Sequence, residues 1–87
     1  MIWVTNAKYV RDYILMITFN DGTNKIVDLQ NELDGGVFSL LKDKEYFKKF
    51  RISANTIEWE NGADFAPEFL HSLPNVTINL NSSTGIL

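Results

Sequence analysis

The sequence predicts a small α+β domain. Three observations carry this. Adjacent runs at 2–10 and 12–19 alternate and are rich in β-branched and aromatic residues. The segment Asn20-Asp21-Gly22-Thr23 is a tight-turn signal followed by a return strand. Short amphipathic helical segments then flank a second hairpin. The expected order is β-β-β-α-β-β-α: two small hairpin or meander units with short helices, and room for an extra strand near the C-terminus.

Each element has a local reason. In the first run Trp3, Thr5, Ala7 and Tyr9 alternate with Ile2, Val4, Asn6, Lys8 and Val10. In the second, Tyr13, Leu15, Ile17 and Phe19 alternate with Ile14, Met16 and Thr18. Both of its faces are apolar except at Thr18, which predicts a central strand covered on both sides. Asp21-Gly22 tolerates the positive φ angles of a tight turn, and Lys25–Leu29 returns as the third strand. Gly35-Gly36 punctuates the next stretch, and Val37, Phe38, Leu40 and Leu41 follow at helix-like spacing. Asp43 is placed to cap a helix over 44–50, with Tyr46, Phe47 and Phe50 on its core face.

Residues 51–60 read as the second hairpin, turning near Ala54-Asn55 and ended by Asn61-Gly62. Pro67 suits the first turn of a helix over 67–72, because its missing N–H has no helical partner there. Phe69, Leu70 and Leu73 are placed to close the core. Pro74 then breaks the helix, and Val76–Leu80 alternates like a strand. The division is a single domain over 1–73 and a tail over 74–87, polar from Asn81 to Gly85.

Composition narrows the function. The 87 residues, 45% hydrophobic and 13% aromatic, suffice for one domain and argue against global disorder. There is no cysteine, which excludes a disulfide scaffold, a thiolate metal site and a cysteine nucleophile. The densest apolar stretch, Tyr13–Phe19, is far short of the ~20 residues of a membrane helix. The first residues lack the basic, then apolar, pattern of a secretory signal, so a cytoplasmic location and no membrane association are expected. Net charge is −3, with 8 basic and 11 acidic residues. That balance argues against a direct grip on nucleic acid. The basic cluster Lys42, Lys44, Lys48, Lys49 and Arg51 is interrupted by Asp43 and Glu45 and reads as a solvated helix face.

Catalytic signals are sparse. His71 is the single histidine. Ser39, Ser53 and Ser72 are available for a triad, but none lies in a Gly-x-Ser-x-Gly elbow. Glu58 and Glu60, two apart on a predicted strand, share a face and could serve acid–base work or a hard cation; a solvated sheet face is the simpler reading. Asp64 stands between a turn and a helix start, where capping or an Asx turn accounts for it. Asp21-Gly22 has a similar local explanation, and no calcium loop or phosphate-cradling glycine motif is present. No cofactor or metal is expected. Trp3 and Trp59 read as core residues, although an exposed tryptophan would mark a binding hot spot.

The segments Thr18-Phe19-Asn20-Asp21-Gly22-Thr23, Val27-Asp28-Leu29, Gly35-Gly36-Val37-Phe38-Ser39-Leu40-Leu41 and Ile57-Glu58-Trp59-Glu60-Asn61-Gly62-Ala63-Asp64, with Phe47 and Pro67, form one familiar pattern. Across about residues 3–73 the chain resembles domain-of-unknown-function family 2442, a family of small bacterial domains. The Trp-x-Asn-Gly-Ala-Asp segment is the most specific part. The resemblance implies an α+β fold of two hairpin units and short helices, and no established activity. Members occur alone, often beside another small gene, or ahead of a helix-turn-helix domain. Stand-alone members therefore look like candidate antitoxins or regulatory partners. No room for a helix-turn-helix is seen after residue 73, which puts operator binding in doubt here.

The expectation is a non-enzymatic domain that binds another small protein, with Trp59, Asn61, Gly62, Asp64, Asp21 and Gly22 as candidate interaction or motif residues. The edge strand 2–10 and the segment Val76–Leu80 are the first surfaces to consider. Two alternatives stand beside it: a small homodimer paired through edge strands, and a carboxylate-based hydrolytic or metal site using Asp64, Glu58, Glu60 and His71.

Overall fold

The computed structural model describes residues 1–78. Three strands form one antiparallel sheet in the order β1-β2-β3: β1 (Val4–Arg11), β2 (Ile14–Phe19) and β3 (Asn24–Asp28). Two 3₁₀ turns follow, Gln30–Glu32 and Gly36–Lys42, then helix α1 (Lys44–Phe47). Strands β4 (Arg51–Ser53) and β5 (Thr56–Glu58) make a second antiparallel sheet, and helix α2 (Pro67–Ser72) comes after it. The fold is the α+β arrangement of two hairpin units that the sequence predicts. No helix among the described residues is long and apolar enough to cross a membrane.

Strand β1 corrects the simple alternation. Val4 pairs with Phe19 and Asn6 with Thr18, so Thr5 is an extra residue in a bulge. A second bulge lies between Tyr9 and Arg11. The first bulge shifts the side-chain parity: Val4 is buried before it, and Ala7 and Tyr9 pack on the core after it. Trp3 and Thr5 therefore do not share the inner face with Ala7 and Tyr9. Strand β2 is central, as expected. Leu15, Ile17 and Phe19 are sealed in the core, while Met16 and Thr18 on its other face are only half-covered. It begins at Ile14, because Asp12-Tyr13 forms the turn, with Asp12 at φ +48°.

The core joins both units. Phe47 meets Tyr13 edge-on at 5.4 Å between centroids and lies 5.6 Å from Trp59. Trp59 in turn lies 5.9 Å from Phe65. Aromatic pairs at such spacings add attraction beyond their buried area. Among the described residues no buried side-chain polar atom lacks a hydrogen-bond partner. Thr56, buried at 7% exposure, donates its hydroxyl to the Phe65 carbonyl.

Two further elements differ from expectation, and a third is made more specific. The helix expected over 44–50 ends at Phe47 and passes through a turn, although Asp43 caps it as foreseen by accepting from the Glu45 N–H. The segment after Gly35-Gly36, where a short turn or helix is expected, is a 3₁₀ helix. Residues 74–78 form no strand. The Asn75 side-chain oxygen, not a backbone carbonyl, takes the Ile26 N–H at 2.7 Å, and the Val76 N–H donates to the Ile26 carbonyl at 2.8 Å. A side chain thus substitutes for the ladder. Asn79 and Leu80 of the expected strand, and the rest of the tail, lie outside the described residues.

Candidate functional site

Two turns in different units have the same construction. In Phe19-Asn20-Asp21-Gly22-Thr23, the Gly22 N–H donates to the Phe19 carbonyl at 3.0 Å and the Phe19 N–H to the Thr23 carbonyl at 2.9 Å. In Trp59-Glu60-Asn61-Gly62-Ala63, the Gly62 N–H donates to the Trp59 carbonyl at 3.0 Å and the Trp59 N–H to the Ala63 carbonyl at 2.8 Å. The third residue of each turn accepts from the N–H two positions on: Asp21 from Thr23 at 2.9 Å, Asn61 from Ala63 at 3.1 Å. Gly22 and Gly62 have φ of +88° and +93°, which the bulged turn requires. A Cβ at either would touch nothing within 4 Å, so the demand for glycine is conformational. The leading aromatic of each turn, Phe19 or Trp59, is buried.

The first turn is gripped by α2. Asp21 Oδ2 lies 3.0 Å from His71 Nε2, and the His71 ring packs edge-on to Phe19 at 4.8 Å. Lys25 donates its ammonium to the His71 carbonyl. The Thr23 N–H, helped by the Thr23 hydroxyl and by His71, holds the Asp21 carboxyl below the usual aspartate range. The Ser72 hydroxyl, one residue on from His71, donates to the Phe69 carbonyl.

The second turn grips the middle of the chain. The Asn61 N–H donates to the Tyr46 hydroxyl at 2.9 Å, and Asn61 Nδ2 donates to the Val37 carbonyl at 2.8 Å. Trp59 Nε1 donates to the Phe47 carbonyl at 2.9 Å. One turn therefore fixes both α1 and the 3₁₀ helix Gly36–Lys42. That helix buries Leu41 and packs Phe38 against the core. Side chains three apart eclipse in a 3₁₀ helix. Val37 and Leu40 accordingly form one ridge, each 49% exposed. At the end of this helix lies an open cleft of about 320 Å³, lined by Tyr13, Gln30, Asn31, Leu33, Asp34 and Lys42. Lys42 and Asp34 pair across it at 2.9 Å, and the Tyr13 hydroxyl donates to the Lys42 carbonyl.

The residues suggested for a hydrolytic site are only partly brought together: Glu58 and Asp64 stand opposite each other across a backbone bridge, while His71 meets Asp21. Strand β5 ends at Glu58, and Glu60 stands exposed in the turn, so the two do not share a strand face. Glu58 accepts from Arg51 Nε at 3.4 Å. Asp64 makes a backbone bridge opposite Glu58; the residue capping α2 is Ala66, with no side-chain cap bond. His71 meets Asp21. No three His, Asp or Glu among the described residues gather where a metal ion could be held. Trp59 is sealed in the core at 0% exposure, whereas Trp3 is 37% exposed. Sequence reasoning missed the Asp21–His71 contact, which spans 50 positions. It also missed the Val37–Leu40 ridge, whose signal was the three-residue spacing after Gly35-Gly36.

No curated protein and no solved structure is similar to the chain. A family described as "Protein of unknown function (DUF2442)" matches residues 4–72, the span that contains both turns, the 3₁₀ ridge and α2. The chain belongs to that family.

Proposed function

We propose that the chain is a non-enzymatic protein-binding domain, an antitoxin-like or regulatory partner of another small protein, acting in the cytoplasm. The observation that carries this reading is the ridge of Val37 and Leu40. Two aliphatic side chains are held half-exposed on a short helix whose backbone is fixed from beneath by Asn61. Apolar groups held out rigidly lose little freedom on binding, so contact with them is productive. The sheet edges are less suited to a partner. The β3 edge at Ile26 is occupied by Asn75 and Val76, and β1 carries two bulges and gives its Val4 N–H to the Asn55 carbonyl at 2.9 Å.

The test is co-purification from the native host with the tagged chain and with a Val37→Glu/Leu40→Glu variant. The expected result is one stoichiometric protein held by the parent and lost from a variant whose circular dichroism is unchanged. Equal recovery by both would overturn the ridge as the binding surface. Sedimentation of the parent at several concentrations separates a hetero-partner from a second copy of the chain.

A further inference from the structure

The outer edge of β3 is covered at one residue. The Leu29 N–H donates to the Tyr13 carbonyl and the Phe19 N–H to the Thr23 carbonyl, both at 2.9 Å, so the odd-numbered residues from 23 to 29 bond toward β2. By the antiparallel pattern, Asn24, Ile26 and Asp28 turn their N–H and carbonyl groups outward. At Ile26 both groups are taken, by the Asn75 side-chain oxygen at 2.7 Å and the Val76 N–H at 2.8 Å. At Asn24 and Asp28 no backbone partner lies on that side among the described residues. Helix α2 delivers Asn75 to this place, since its His71 carbonyl takes the Lys25 ammonium. The opposite edge of the sheet is irregular: β1 carries two bulges and gives its Val4 N–H to the Asn55 carbonyl. The regular edge is therefore β3, and a regular edge is a template for another strand unless something covers it.

We infer that Asn75 and Val76 guard this edge, and that the strand they keep off it is β3 of a second copy of the chain. The guard satisfies one residue, and its Asn75–Ile26 bond is exposed to solvent, so water or another backbone can replace it. A second β3 laid antiparallel about a two-fold axis at Ile26 satisfies all three outward residues. In that register Ile26 faces Ile26, Lys25 faces Val27, and Asp28 faces Asn24 of the second copy at both ends of the pair. A carboxylate meets an amide and no like charges stand directly opposite, which makes the strand complementary to itself. The inference makes no use of the Val37–Leu40 ridge, so it stands or falls apart from the binding reading above.

The test compares the full chain with two variants of it. Asn75→Ala removes the side-chain acceptor, and Asn75→Ala/Val76→Pro removes the backbone donor as well. Sedimentation over a range of concentrations is read together with amide exchange. The parent is expected to sediment as a monomer. The double variant is expected to dimerise at least tenfold more tightly than the parent, with Asn75→Ala between them. Exchange at Asn24, Ile26 and Asp28 is expected to slow as the double variant is concentrated. Adding Ile26→Pro removes the central N–H at a position where an edge strand accepts proline, and should return the double variant to monomer. A parent already dimeric through β3, variants as monomeric as the parent, or dimers whose exchange at these three residues is independent of concentration would overturn the inference.

Discussion

Asn61 holds Val37 across 24 positions, through a 2.8 Å bond from its side-chain amide to the Val37 carbonyl. The same side chain closes its own turn by accepting from Ala63. Asn61→Ala removes both bonds. A net cost of about 1–2 kcal/mol is expected in urea unfolding, because the Ala63 N–H loses its partner in a part-buried place while the exposed Val37 carbonyl can turn to water. Amide exchange across residues 36–42 should rise at the same time. A loss of stability without faster exchange there would show that Asn61 matters only to its own turn.

Trp59 is the largest fully buried side chain. Trp59→Ala is expected to cost about 3–5 kcal/mol. Against a total of about 5–15 kcal/mol, that leaves a marginal fold. Trp59→Phe keeps most of the packing but strands the Phe47 carbonyl, for about 1–3 kcal/mol. Measured midpoints that ranked the two in the opposite order would refute this account of the core.

Gly22→Ala and Gly62→Ala test whether the two turns are equivalent. Each places an alanine in the left-handed region with nothing to strike, so each should lose about 1–2 kcal/mol. Asparagine at either position should be milder. Ala54, at φ +52° in the β4–β5 turn, is the converse case. Ala54→Asn should gain a few tenths to about 1 kcal/mol, read as a rise in melting temperature.

The Asp21 carboxyl gives the fold an acid dependence of known sign. Its pKa is lower folded than unfolded, so the unfolded chain binds more protons in the acid range. The associated stability is present above the usual aspartate range and is lost as pH falls through the depressed folded value. Asp21→Asn should therefore be less stable than the parent at neutral pH, and the gap should close on acidification. A gap that stayed constant down to strongly acidic pH would place the effect elsewhere.

Local chemistry made much of this fold legible. Asp21-Gly22 and Asn61-Gly62 announce turns because few residues besides glycine adopt the φ of Gly22 and Gly62, and Asp43 and Pro67 mark helix starts for equally local reasons. What escaped was non-local or one residue out of step. The bulge at Thr5 reverses an alternation that reads as unbroken. Asn75 replaces a ladder bond with its side chain, which no strand pattern reveals. Asp21 and His71 were each visible, but as a turn residue and a candidate catalyst, since their meeting depends on the docking of α2. Similarly, the exposure of Val37 and Leu40 follows from which side of a 3₁₀ helix the core takes, a choice made by Phe38 and Leu41.

The twin turns also bear on how the chain reaches its native state. One closes β2 onto β3 and the other closes Glu58 onto Asp64, each across a loop of only a few residues, so both local hairpins can form on the microsecond scale, on the order of 1–10 μs, independently of each other. The contacts between units, such as the Val4 N–H to the Asn55 carbonyl, bridge stretches of sequence far longer than either turn. Closure of those long loops sets the rate. Substitutions that weaken a single turn should thus change the population of a preformed hairpin, while those at the Phe47–Trp59 contact should govern the speed at which the two hairpins find one another.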